Sequence, residues 1–256
     1  MLLETMLPKM AIGPADMHCH LGFTANGDAI AHKAGWPMLS MTVDPRDYLL
    51  ECEAFAHTPN VFVAAGLHPW WIADGTCGVE EVDLLCQLAC DTRFVGEIGL
   101  DFAKRHAGSE DAQAQAFDRI VSVCAHEGDK VLSIHALNSA DAVLDILERY
   151  GVTNTCTCIM HWFSGSSPQL NRAIKTGCMF SLNSRMLTSG RGREYAKVIP
   201  EKSILLETDL PSRKGEACSV QSMKNALQDA LETIEHARNR PMQDTIFSNT
   251  IRILEP

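Results

Sequence analysis

The stretch Asp16-Met17-His18-Cys19-His20 carries a polar residue at every second position. Side chains two residues apart in a β-strand point to the same face, so Asp16, His18 and His20 share one side of the predicted strand. Two imidazoles at this spacing can hold one metal ion. The stretch therefore predicts a strand that presents metal ligands where it ends.

Four more apolar runs contain an acid or a histidine near the end of the run. These residues are Glu97, His135 and His161, together with Asp209 just past the last run. An unpaired carboxylate is costly to bury in an apolar strand, so Glu97 needs a cation beside it. Acids and imidazoles at strand ends are typical of catalytic divalent-metal sites.

Strand-like and helix-like segments alternate along the whole chain, which predicts an α/β fold. We place strands near residues 14–20, 37–43, 60–66, 93–99, 130–135, 156–161, 178–182 and 203–208. Helix boundaries are predicted at Asp44-Pro45, at Ser139 and at Gly128, Gly151 and Gly177. The length of 256 residues, with no composition break or repeat, predicts one domain over residues 1–256, a (β/α)8 TIM-type barrel. The carboxyl ends of its strands would meet at one mouth and bring the six ligands together.

Composition narrows the class of protein. The net charge of −10 argues against a broad binding surface for nucleic acid, so any phosphate binding must be local.

Ten cysteines in a chain of this size indicate free thiols rather than disulfides. No run can span a bilayer, and the opening from Met1 to Met6 lacks the pattern of a signal peptide, so we expect a cytoplasmic protein without a membrane partner.

Several short motifs together resemble the TatD family of metal-dependent hydrolases, within the amidohydrolase-like barrels. The resemblance runs from about Asp16 to Thr250. Its marks are Asp16-x-His18-x-His20, Gly66-Leu67-His68-Pro69, Gly96-Glu97-Ile98-Gly99-Leu100-Asp101, Gln113 to Phe117, Ile134-His135, His161 to Ser166, Leu206-Glu207-Thr208-Asp209 and Ser248-Asn249-Thr250. The resemblance implies a binuclear metal site and phosphodiester hydrolysis, with several members described as DNases.

The resemblance and the chemistry of the residues suggest the same roles. One ion is assigned to His18, His20 and Asp209, the other to His135 and His161, with Glu97 as the bridge. Asp209 is the candidate general base. His68 is a candidate substrate contact, although a histidine satisfied by backbone groups is an equal alternative. Ligand softness favours manganese or zinc, and the resemblance also admits magnesium.

Two departures from the family pattern bear on the substrate. Trp70 stands where a histidine is common, and Leu137 stands where an arginine is usual. Trp70 can either stack on a base or pack at the barrel rim. The leading hypothesis is an exonuclease-like deoxyribonuclease acting on single strands or ends, with unknown protein partners.

Two alternatives remain open. The first is an ester or amide hydrolase, such as a deacylase on aminoacyl-tRNA or a small metabolite. The second is a nucleic-acid-associated subunit of a multi-protein defence system.

Overall fold

The computed structural model describes residues 14–255, and within them eight strands alternate with helices. The strands are β1 (Asp16–Cys19), β2 (Met38–Met41), β3 (Val61–Ala64), β4 (Phe94–Asp101), β5 (Val131–Leu137), β6 (Thr157–His161), β7 (Met179–Leu182) and β8 (Ile204–Leu206). The α-helices are α1 (Gly27–Ala34), α2 (Tyr48–Ala54), α3 (Pro69–Ala73), α4 (Val79–Asp91), α5 (Glu110–Glu127), α6 (Ala140–Tyr150), α7 (Ser167–Thr176), α8 (Ser184–Leu187), α9 (Gly190–Val198), α10 (Val220–Arg238) and α11 (Gln243–Leu254). All eight predicted strands are present, which confirms the α/β class.

The helix boundaries follow from local backbone chemistry. Asp44 accepts a hydrogen bond from the backbone N–H of Arg46 (2.9 Å) and opens the short 3-10 turn before α2. Ser139 occupies the N-cap position of α6, and Gly151 ends that helix in the left-handed conformation, which glycine adopts without a Cβ clash. Gly128 and Gly177 end α5 and α7. These predictions are confirmed.

The described residues form two compact units, and the first comprises residues 14–40, 51–63 and 181–255. In this unit β1 runs parallel to β2, with Asp16 opposite Met38 and Cys19 opposite Ser40. Residues that follow β8 bond to the other side of β1, since the Asp209 N–H donates to the His18 carbonyl (2.9 Å). The carboxyl end of β1 and the residues after β8 are thereby fixed together.

The second unit comprises Met41–Leu50 and Ala64–Phe180. Strands β4, β5 and β6 are neighbours and parallel, and the register between β4 and β5 shifts between Val95 and Ile98, on either side of Glu97. β4 and β5 continue beyond their predicted ends, to Asp101 and Leu137, because these two residues still pair with each other. Glu97 and His135 therefore lie inside their strands rather than at the ends.

Other predictions concern the chain as a whole. All ten cysteines are free, which confirms the thiol prediction. None of the helices among residues 14–255 is both long and apolar enough to cross a membrane. The segment from Met1 to Met6 lies outside the described residues. The single-domain and cytoplasmic predictions stay predictions.

Candidate functional site

His18, His20 and Asp209 form the first cluster of metal-ligating side chains. The His18 Nε2 lies 3.8 Å from Asp209 Oδ1, and the His20 Nε2 lies 3.4 Å from the same oxygen. One ligand atom from each residue falls within 4.8 Å of the others. Two backbone hydrogen bonds fix this arrangement: Asp209 N–H to the His18 carbonyl and His20 N–H to the Leu210 carbonyl, both 2.9 Å.

The backbone at Asp209 has a positive φ of 54°, a left-handed conformation that non-glycine residues seldom adopt. Such a conformation persists only where the surrounding structure enforces it, and it is concentrated at functional sites. Here it turns the chain three residues after β8, where the carboxylate of Asp209 lies beside the two imidazoles. Trp162, directly after His161, also has a positive φ of 38°.

Two buried acids, Asp16 and Glu207, lie two residues before His18 and Asp209. Asp16 accepts hydrogen bonds from the Thr208 N–H (2.9 Å), the Thr208 hydroxyl (2.6 Å) and the His18 N–H (3.3 Å). Burial raises the pKa of Asp16 to about 7, although the bonds from Thr208 oppose the rise. Glu207 accepts from the Ser181 hydroxyl and from Asn183 Nδ2. Asp16 therefore orients the backbone of His18, while Glu207 is held by the end of β7 and the residue after it.

Glu97 is the centre of the second cluster. Its Oε1 lies 2.9 Å from His135 Nδ1, 3.2 Å from His68 Nε2 and 3.2 Å from His161 Nε2. The Glu97 side chain is only 4% exposed. A buried carboxylate surrounded by three imidazoles is an arrangement that binds a cation, whether a proton shared among the rings or a metal ion.

Asp101, at the end of β4, connects the second cluster to the loop that follows. Its Oδ1 accepts from the Ala103 N–H (2.8 Å), and its Oδ2 accepts from the Trp70 indole N–H and from Arg105 Nη2 (3.0 Å). The His135 Nε2 lies 3.4 Å from the same Oδ2. Burial would raise the pKa of Asp101, but the bonds from His135 and Trp70 outweigh it and hold that pKa well below its usual range.

His135 is placed between two carboxylates. Burial lowers the pKa of its ring, whereas hydrogen bonding to Asp101 and Glu97 raises it, and the net shift is upward. Its Nδ1 lies 2.9 Å from Glu97 Oε1, and its Nε2 lies 3.4 Å from Asp101 Oδ2. The two carboxylates therefore hold the imidazole of His135 from both ring nitrogens.

The donor sets of both clusters fit a divalent metal. The first offers two imidazoles and a carboxylate, and the second offers three imidazoles and a carboxylate, all buried or nearly so. Mixed nitrogen and oxygen donors suit zinc, manganese or iron, whereas magnesium prefers oxygen alone. His68 lies beside Glu97 and so belongs to this donor set by position.

Each predicted ligand thus lies beside others of the predicted set. Arg105 and His106 had no predicted role, although they lie in the loop that directly follows β4. Both residues directly follow a strand that carries a buried acid, and this position in the sequence could have marked them as candidates for the site.

Comparison with known proteins gives the family. Residues 15–255 match the family model described as TatD related DNase. The chain belongs to the TatD family. This result confirms the resemblance found from the motifs.

Individual TatD relatives cover most of the chain at low identity. A human protein named deoxyribonuclease TATDN3 is 26% identical over 220 residues, which make up 78% of this chain and 79% of that protein. An Escherichia fergusonii protein named 3'-5' ssDNA/RNA exonuclease TatD is 24% identical over 158 residues, 60% of each chain.

Solved structures of the TatD family show the fold. The TatD homolog YJJV from Escherichia coli K12 superposes with a TM-score of 0.78, 21% identity and coverage of 94% of this chain and 97% of that one. A TatD-family hydrolase from Entamoeba histolytica gives 0.76 at 16% identity, covering 97% and 100%. The fold class is therefore the predicted TIM-barrel type.

Proposed function

We propose that this chain is a metal-dependent phosphodiesterase, a deoxyribonuclease that removes nucleotides from single strands or ends. The observation that carries the proposal is the Glu97 cluster, in which three imidazole nitrogens lie within 3.2 Å of one buried carboxylate oxygen. Membership of the TatD family supports it. The relatives named as deoxyribonuclease and as ssDNA/RNA exonuclease support the substrate class.

Each cluster would hold one divalent ion. His18, His20 and Asp209 provide the ligands for one; His135, His161 and Glu97 provide them for the other, with His68 close to Glu97. Bound there, such ions would lower the pKa of water and neutralise charge that develops on phosphoryl oxygens. Manganese or zinc is the proposed metal on donor type. That Glu97 bridges both ions stays a prediction.

The residues of the chain contribute proton transfer and orientation. The Asp209 side chain is 17% exposed, against 4% for Glu97, so water can reach its carboxylate. Asp209 would accept a proton from the attacking water at a carboxylate oxygen. Asp101 holds His135 from the other side of the ring, which fixes the orientation of that imidazole.

A two-substrate comparison tests the proposal. Metal-free protein is supplied with Mn²⁺, Zn²⁺ or Mg²⁺ and given a single-stranded DNA oligonucleotide or an aminoacyl ester of matched concentration. We expect metal-dependent release of nucleotides and no comparable ester hydrolysis. Asp209→Asn should cut the rate of nucleotide release by roughly 10²–10⁴-fold, whereas the exposed-surface control Asp145→Asn should not. Faster hydrolysis of the ester than of DNA would instead establish the deacylase alternative.

A further inference from the structure

Trp70 lies partly exposed beside the second cluster. Its residue surface is 38% exposed, although tryptophan is a large apolar residue that folding usually buries more fully. The ring centroid lies 4.7 Å from that of His68 and 6.5 Å from that of His135. An exposed aromatic ring thus adjoins the imidazoles that surround Glu97.

The guanidinium of Arg105 lies over one face of the Trp70 ring. The Arg105 Cζ is 4.8 Å from the ring centroid, within the range of a cation–π contact. Two of its N–H groups have partners: Nη2 donates to Asp101 Oδ2 at 3.0 Å, and Nε donates to His106 Nε2 at 2.9 Å. The side chain is still 54% exposed, and a guanidinium carries five N–H donors, so a phosphate can reach it and accept further hydrogen bonds.

Asp101 makes this pair rigid. The same buried Oδ2 accepts from the Trp70 indole and from Arg105, so both side chains are anchored on one carboxylate that is 0% exposed. Gln113 in turn fixes the Asp101 backbone, since its Oε1 accepts from the Asp101 N–H (2.7 Å) and its Nε2 donates to the Asp101 carbonyl (3.0 Å). A surface loop that only contacts solvent does not need these hydrogen bonds. A binding site that is already ordered before the ligand arrives binds it more tightly than a flexible one, because less conformational entropy is lost.

We propose that Trp70 and Arg105, anchored on Asp101, bind one nucleotide of a single strand: Trp70 stacks on the base and Arg105 binds a phosphate. This rests on the proposed nuclease function and extends it to substrate recognition. Stacking on one base is indifferent to base identity, so the site favours unpaired nucleotides without reading sequence.

Binding to metal-free protein tests the inference without any need for turnover. The probes are a fluorescein-labelled oligothymidylate and an abasic oligonucleotide of the same length, measured by anisotropy at several salt concentrations. The variants are Trp70→Ala, Trp70→Phe and Arg105→Gln. The matched control is Arg119→Gln, which removes an equally exposed arginine (51%) that pairs with Asp83 on the surface of α5 and α4.

The expected pattern separates base from phosphate contacts. Trp70→Ala should weaken oligothymidylate binding roughly 5- to 150-fold, the value of one stacked base, and leave binding of the abasic probe unchanged. Trp70→Phe keeps a ring and should retain part of the affinity. Arg105→Gln should weaken both probes and reduce the salt slope by about one.

Equal binding by Trp70→Ala, Arg105→Gln and Arg119→Gln would overturn the inference. Unfolding is checked by circular dichroism of each variant, and Trp70→Phe preserves the test if Trp70→Ala is destabilised. Cleavage of the oligothymidylate by metal-loaded wild type is measured in parallel. A wild type that binds through Trp70 and Arg105 but never cleaves would refute the nuclease proposal and leave the recognition site supported.

Discussion

Gly66→Ala tests whether backbone crowding positions Glu97. A Cβ on Gly66 would overlap the Thr42 carbonyl oxygen and the Glu97 amide nitrogen, and it would lie 2.5 Å from the Gly96 carbonyl carbon. Ordinary contacts of carbon need about 3.5–4.0 Å, so one of these backbones must move by about 1 Å or more. None of the three groups can rotate away, because the Glu97 N–H already donates to the Thr42 carbonyl at 2.9 Å.

The expected magnitude follows from that geometry. Overpacking usually costs about 1–3 kcal/mol, and three backbone clashes place this substitution at the upper end, about 3 kcal/mol in free energy of unfolding. For a chain of this size that is a fall in Tm of about 6–12 °C. A displacement of Glu97 by about 1 Å should also lower the rate of phosphodiester hydrolysis on the order of 10²-fold.

Denaturant and thermal unfolding measure the first effect, and hydrolysis by the metal-loaded protein measures the second. Gly190→Ala is the control, because its Cβ would meet no atom within 4 Å at the start of α9 and should change stability by less than about 0.5 kcal/mol. If Gly66→Ala is as stable and active as Gly190→Ala, the close packing of backbone around Gly66 does not position Glu97.

Three further substitutions test the buried polar groups. Thr208→Val removes the hydroxyl that donates to Asp16 and should cost about 1–3 kcal/mol in urea unfolding, while Thr233→Val on an exposed helical face should cost little. Because the pKa of Asp16 is raised to about 7, the folded metal-free protein keeps a proton that the unfolded chain releases near pH 4. The contribution of Asp16 to the free energy of unfolding is therefore complete below about pH 4 and is lost as the pH rises to about 7. Asp16→Asn should lack this pH-dependent component, and identical profiles of unfolding free energy against pH for the two proteins would contradict it. Gln113→Leu leaves the N–H and carbonyl of Asp101 without their amide partner and should cost about 2 kcal/mol or more by chemical denaturation; an unchanged midpoint would show that these bonds contribute nothing.

The sequence predicts strand positions well because each strand is an apolar run, and most of these runs end at a histidine or an acid. Alternation in β1 placed His18 and His20 on one side, and the structure brings both to Asp209. The cost of burying Glu97 predicted a cationic neighbour, and three imidazoles surround it. These inferences depend on local pattern and on the energetics of burial, both of which one sequence contains.

Other features depend on contacts between distant segments. β4 continues to Asp101 because that residue pairs with Leu137 and because Gln113 binds its backbone, neither of which is visible in the run around Glu97. The meeting of Trp70 with Arg105 depends on the same carboxylate. The sequence places Asp101 at the end of a motif but cannot show which side chains this residue anchors.

The most direct test of the central claim is nucleotide release from end-labelled single-stranded DNA by wild type and Glu97→Gln. Both proteins are stripped of metal, refilled with Mn²⁺ and checked for metal content, with Glu81→Gln on α4 as the charge-matched control. We predict that wild type and the control cleave only when metal is present, and that Glu97→Gln binds less metal and loses at least about 10²-fold in rate. Cleavage by Glu97→Gln at the wild-type rate, or cleavage by the metal-free protein, would contradict the account.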